Sequence, residues 1–153
     1  MARILRPLVA LIAVALLTAG CGSITLASPP PTPTDFPGLT GRLSVAGIAV
    51  SDWVSGDAGC ISDTLRSAAI RFKASGLDQA TPVTIYLYIF RNRAAWDKHR
   101  ADIGPCAQAF VTDAQTFAEI EQSPYVVAGQ GPWATRFEAA FRLVLAAAAG
   151  TGG

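Results

Sequence analysis

Apolar positions along this chain fall into blocks with different periods. The clearest block is VTIYLYIF, Val83 to Phe90. Val83, Ile85, Leu87 and Ile89 alternate with Thr84, Tyr86, Tyr88 and Phe90, so a strand here has two largely apolar faces, and the pattern predicts a central strand. LSVAGIAV, Leu43 to Val50, is a shorter apolar run with β-branched members that continues toward Trp53, and it predicts a first strand. Ser55 to Gly59 breaks the pattern. Ile61, Leu65, Ala68, Ala69 and Phe72 then recur at helical spacing, with Gly76 where a helix-ending glycine belongs, which predicts a helix over 60–75. Strand, helix and strand in one sheet imply a right-handed parallel crossover if the two strands are neighbours.

Beyond the central strand, Asn92 suits a helix cap, Arg93 to Ile103 follows a helical pattern, and Gly104-Pro105 is expected to close it. Trp96, Arg100 and Ile103 share one face, and Arg93, Asp97 and Arg100 are spaced for exposed ion pairs. Cys106 to Ala114 fits either a further helical turn or a loop. Thr116 to Glu121 alternates as an edge strand, and Tyr125 to Ala128 as a short strand. After a turn at 129–132, Trp133, Phe137, Ala140, Phe141, Val144, Leu145 and Ala148 form one helical stripe, with Pro132 at the first helical position and Glu138 four residues before Arg142. The simplest fold that buries these stripes is an α/β (α+β) two-layer sandwich: roughly three to four strands in a small mixed sheet, with about three helices packed on it.

The first twenty residues do not fit that fold. Arg3 and Arg6 precede an apolar run from Pro7 to Leu17, shorter than the roughly 20 residues needed to span a bilayer, and small residues follow. Thr18-Ala19-Gly20-Cys21 resembles the lipobox of bacterial lipoproteins, with Thr18 where Leu, Val or Ile is usual. The resemblance implies cleavage before Cys21 and attachment of acyl chains such as palmitate to it; the alternative is an ordinary signal cut after Ala19 or Gly20 that leaves Cys21 a free thiol. Multiple acyl chains hold a protein on a membrane where one barely does. Ser23 to Pro37 has five prolines among Ser and Thr and suits an extended spacer or a terminal arm without a spacing role. The expected organisation is a signal peptide at 1–20, a lipidated cysteine and tether at 21–37, one globular domain at 38–150 and a tail at 151–153.

Loss of residues 1–20 removes Arg3 and Arg6 and leaves ten basic against eleven acidic residues, so no nucleic-acid partner is expected. With Cys21 assigned to lipid, Cys60 and Cys106 form an even pair on the oxidising side of a membrane, where a structural disulfide is favoured. Two cysteines and the single histidine, His99, are too few for tetrahedral zinc, and 46 positions between the cysteines exclude a Cys-x-x-Cys redox motif. No metal and no cofactor is expected.

The remaining candidates each have a plain structural explanation. Gly129 to Trp133, GQGPW, joins a strand to a helix as phosphate-binding loops do, yet the spacing matches no nucleotide fingerprint and Pro132 removes a donor. Arg91, Arg93, Lys98, His99 and Arg100 form the one basic cluster, suited to anionic headgroups or an acidic partner, and equally to a solvated helix face balanced by Asp97 and Asp102. His99 can act as a base only beside a nucleophile, and Ser62, Ser67 and Ser75 lack nucleophile-elbow surroundings. Glu119 and Glu121 lie on one face of an edge strand, where carboxylates blunt aggregation. Trp53, Trp133 and the tyrosine face can line a cleft or simply fill a core. The chain is therefore expected to be a non-catalytic, lipid-anchored protein of the cell membrane, facing away from the cytoplasm and binding a protein or small-molecule ligand. A hydrolase-type enzyme with a cleft near His99 and a structural envelope component are the alternatives. No catalytic residue is assigned.

Overall fold

The apolar alternation around Val83–Phe90 runs through the middle of a five-stranded sheet. In the computed structural model, residues 35–150 are described. The leader, Cys21, residues 22–34 and the tail at 151–153 lie outside the described residues. The strands are β1 (Ile48–Ser55), β2 (Ala69–Gly76), β3 (Gln79–Ile89), β4 (Phe117–Gln122) and β5 (Tyr125–Gln130), in the order β1-β2-β3-β5-β4. Every neighbouring pair is antiparallel. Among the described residues the helices are α1 (Phe36–Val45), the short α2 (Asp63–Arg66), α3 (Arg93–Gln108) and α4 (Thr135–Ala149), with a 3-10 turn at Ala114–Thr116. None of the described helices is long and apolar enough to cross a membrane.

The α+β class is as expected, but the sheet has five strands instead of three to four, is antiparallel throughout instead of mixed, and is covered on both faces instead of one. Ile85 and Leu87 of β3 join Leu39 and Leu43 of α1 and Phe137, Phe141 and Leu145 of α4 in one core. Tyr86, Tyr88 and Phe90 point the other way, into a second core with Leu65 of α2 and Trp96, Ile103 and Ala107 of α3. Two apolar faces on the central strand require two covering layers. Each Leu or Phe removed from water there contributes about 1.5–3 kcal/mol.

Several local expectations are overturned. The helix expected over 60–75 is only α2, and residues 69–76 form β2. The helical spacing competed with a second pattern, Ile70-Arg71-Phe72-Lys73-Ala74, whose period of two places Phe72 and Ala74 in the first core and leaves Lys73 exposed. The crossover expected between the first strand and the central one is accordingly absent: β2 lies between β1 and β3 and pairs antiparallel with both. The first strand begins at Ile48, because Leu43–Val45 end α1, which starts at an Asp35 cap accepting from Gly38 N and has proline in its first turn. Phe36 and Pro37, placed by composition in the tether, thus belong to α1. Lastly, α3 continues through Gly104-Pro105 to Gln108. Pro105 and Ala101, whose carbonyl loses its partner, are both exposed, while Cys106 and Ala107 are held in the second core.

The final helix also starts later than expected, at Thr135, and Pro132 precedes it. Its own cap residue, Ala134, has no side chain able to accept a hydrogen bond. The hairpin between β2 and β3 supplies the cap. Asp78 Oδ2 accepts from Arg136 N and Oδ1 from Phe137 N, both at 2.9 Å, and Gln79 Oε1 accepts from Ala134 N at 3.1 Å. The amides of Arg136 and Phe137 hold the Asp78 carboxyl below its ordinary range despite some cost of desolvation. A carboxylate so depressed stabilises the fold above its unfolded pKa, and the contribution is lost as pH falls through the folded value. Asp78→Ala should therefore lower the urea midpoint at pH 7 more than Asp78→Asn does, and the gap from wild type should close below about pH 4. A gap that persists unchanged at pH 3 would show that Asp78 acts otherwise.

Candidate functional site

On the α2/α3 side, the loop after β1 is drawn onto the C-terminal end of α3. Tyr88 Oη, from the central strand, donates to the Ala58 carbonyl at 2.7 Å. Cys60 and Cys106 stand at disulfide-bonding distance, their Cα atoms 5.2 Å apart. Gly59 has φ +75°, and a Cβ there would lie 3.1 Å from the Tyr86 ring, so the loop needs glycine at this point. Asp57 accepts from Arg71 Nε at 2.6 Å and from Gly59 N at 3.1 Å. Burial alone raises the Asp57 pKa, but the Arg71 and Gly59 hydrogen bonds and the charge of Arg71 outweigh it, and the carboxyl sits below its ordinary range.

This loop and the end of α3 bound an open groove of about 610 Å³, lined by Asp57, Cys60, Ile61, Arg66 and Phe110 among others. Its rim is apolar in an unusual way. Ile61 is 99% exposed and Phe110 60% exposed, each on a segment pinned by one of the two cysteines. Phe110 leans on Tyr86, with ring centroids 6.1 Å apart. The groove therefore offers two large apolar side chains, the Arg66 guanidinium and a carboxylate already engaged by Arg71.

The loop that carries Phe110 is held by Gln130, the second residue of GQGPW. Gln130 Oε1 accepts from Thr112 N at 2.9 Å and from Thr112 Oγ1 at 3.0 Å, and Nε2 donates to Thr116 Oγ1. Gly131 N donates to the Thr116 carbonyl, and Trp133 Nε1 to the Gln130 carbonyl. Gln130 Nε2, Gly131 N and Trp133 Nε1 thus donate within the fold, as do the Ala134, Arg136 and Phe137 amides that follow, and GQGPW is a structural clasp.

The other sequence candidates separate. His99 stacks on Phe90 at 6.4 Å, and its Nδ1 is 3.7 Å from Asp102 Oδ2; it lines neither this groove nor the one between α1 and α4 described below. Ser62 Oγ caps α2 by accepting from Leu65 N, Ser67 Oγ donates to the Thr64 carbonyl, and Ser75 pairs along β1. The basic cluster is largely balanced: Arg93 pairs with Asp97 at 3.2 Å, Arg100 with Glu121 at 3.1 Å, and both guanidinium groups lie 4.8 Å from the Trp96 ring. Trp133 is buried in the first core, whereas Trp53 is exposed on β1. Glu119 faces α3, its Oε2 3.7 Å from where a side chain on Gly104 would begin. Ile61 and Phe110 were missed as a pair; the available signal was a large apolar residue one and four positions after the two cysteines.

The fold and groove thus define an α+β domain with an antiparallel sheet between two helical layers and a cysteine-stapled recess on one side. Compared with known proteins, the chain matches no family model, no curated protein and no solved structure.

Two measurements probe this side of the molecule. Replacing both Cys60 and Cys106 by alanine should lower unfolding stability by about 4 kcal/mol, the chain-entropy value for a loop of this size, and denatured unreduced wild type should show no free thiol at either position. Burial, followed by the charge of Glu121, raises the Glu119 pKa. A carboxyl raised in the fold is favourable at low pH and loses that contribution as pH rises through its folded value. Glu119→Gln should raise Tm at pH 7 and give almost no gain near pH 4; a gain of equal size at both would exclude relief of the buried charge.

Proposed function

We propose that the protein is a non-catalytic lipoprotein of the cell envelope. Cys21 carries the acyl chains that hold it on a membrane, and the domain, outside the cytoplasm, binds a protein or small molecule at the groove between Ile61 and Phe110. The observation that carries the binding assignment is the exposure of these two side chains on segments pinned by Cys60 and Cys106. An apolar side chain left in water gains by docking, and a rigid rim loses little entropy when it does so. Arg66 in the same lining gives the site a cation for an acidic or polar group on the ligand. The anchor is supported by Arg3 and Arg6, the short apolar run and the small residues before Cys21. The cysteine pair fits the oxidising side of a membrane. A non-catalytic role is supported by the engagement of Ser62 and Ser67 in helix caps and turns, away from His99.

Expression of Cys21→Ser beside wild type, with fractionation and intact mass, tests the anchor: wild type should sediment with membranes and carry acyl mass, and the variant should be released. Wild type that is released equally and has no added mass would overturn it. A photoreactive phenylalanine analogue at position 110 should give discrete adducts in intact cells that disappear with Ile61→Arg and are absent when the analogue is at exposed position 80. Equal adducts at 80 and 110 would remove the groove as the binding site.

A further inference from the structure

The opposite face of the sheet carries a second concavity, between α1 and α4. Gly41, Arg42 and Val45 line it from α1, and Leu143 and Ala147 from α4. Val45 is 92% exposed and Leu143 71% exposed, and nothing lies within 4 Å of where a Gly41 side chain would begin. We propose that this face rests on an anionic lipid surface, that of the bilayer to which Cys21 fixes the chain. The proposal builds on the anchor assignment and adds which side of the domain meets the membrane.

Three observations select lipid as the occupant. The first is the path of the chain. Residues 22–34 separate Cys21 from Asp35, and Asp35 caps the N-terminus of α1, so an anchored chain reaches the domain along the helix that forms one wall. In an extended form these residues span about 40 Å, enough for the face to lie flat on the bilayer. The second is charge. Arg42 lines the concavity, and the carboxylates nearest these helices are held elsewhere, Asp35 and Asp78 on first-turn amides of α1 and α4 and Glu138 on Arg142. Glu138 pairs with Arg142 at 2.6 Å, and Arg42 forms no ion pair among the described residues. The third is the mixture itself: Val45 and Leu143 can enter the headgroup region while Arg42 extends to the phosphates, the arrangement of an interfacial amphipathic surface.

A second copy fits less well. A two-fold contact places the same patch on both partners, and Arg42 of each copy would then enter a contact whose lining holds no carboxylate. A contact this small binds weakly alone, but a tether makes the encounter intramolecular and raises the effective concentration, so weak affinity suffices. Docked in this way, the domain holds the Ile61–Phe110 groove on the side of the sheet away from the lipid, open to a ligand.

The test uses the full chain in vesicles of phosphatidylglycerol and phosphatidylcholine containing a photoactivatable phospholipid, with labelled peptides located by mass spectrometry. Label should fall on α1 and α4 around Val45 and Leu143, and not around Phe110. It should drop about tenfold in a Val45→Glu, Leu143→Glu double variant, and fall likewise in Arg42→Glu and in vesicles without phosphatidylglycerol. Label confined to residues before 35, or equal on both sides of the sheet, overturns the proposal, as does a concentration-dependent dimer that shields α1 and α4 from label. The mass of the peptide containing Cys21 separates the two claims. Acylated Cys21 with unlabelled α1 and α4 refutes the lipid-facing surface alone; unmodified Cys21 with labelled α1 and α4 supports the surface and refutes the anchor.

Discussion

The constraint on which this structure depends is that β3 is apolar on both sides. Ile85 and Leu87 face one way and Tyr86 and Tyr88 the other, and all four are buried. A strand of this kind cannot sit in a sheet with one wet face, because half of its apolar area would stay in water. Both faces must be covered, and the chain does this with α1 and α4 on one side and α2 and α3 on the other. Neighbours of β3 share the burden: β5 is buried at Tyr125, Val126, Val127 and Ala128, whereas β1 at the sheet edge is mostly exposed and carries Asp52 paired with Lys73. The other edge, β4, carries Glu119 and Glu121, and charges on edge strands oppose pairing with further chains.

Helical layers on both faces leave their connecting loops at the periphery, and three polar or covalent devices fasten them. Asp78 in the hairpin caps α4 from 58 residues away in sequence, Gln130 gathers the 112–116 loop, and Cys106 holds the loop after β1 through Cys60. Each joins elements that hydrophobic burial alone would orient only loosely. Their joint effect on function is local: two of them fix the segments that present Ile61 and Phe110, so the rim of the groove is preorganised even though its side chains are exposed.

The two concavities belong to different faces of the sheet, and their chemistry differs accordingly. One combines aromatic and aliphatic side chains with a cysteine staple; the other combines Val45 and Leu143 with Arg42. A sheet covered on both sides separates them by its full thickness, so occupancy of one face does not crowd the other.

By itself the sequence determined whatever depends on neighbours a few residues apart: the two faces of β3, the buried stripe of α4, the Glu138–Arg142 pair at 2.6 Å, and β4 and β5 as short strands. It also offered Cys60 and Cys106 as partners by number and separation. It did not reveal that residues 69–76 are a strand, because helical and alternating periods coexist there and only pairing with β1 and β3 on either side selects the second. Nor did it reveal that α3 passes Pro105, since the loss of one backbone bond at an exposed position is outweighed by burial one residue later. Ile61 and Phe110 could not be joined as one site from composition, because they are far apart in the chain and meet only where Tyr88 and the cysteines bring their segments together. Local periodicity records which side of an element is apolar; which elements share that side is decided by long-range pairing and the closure of loops between them.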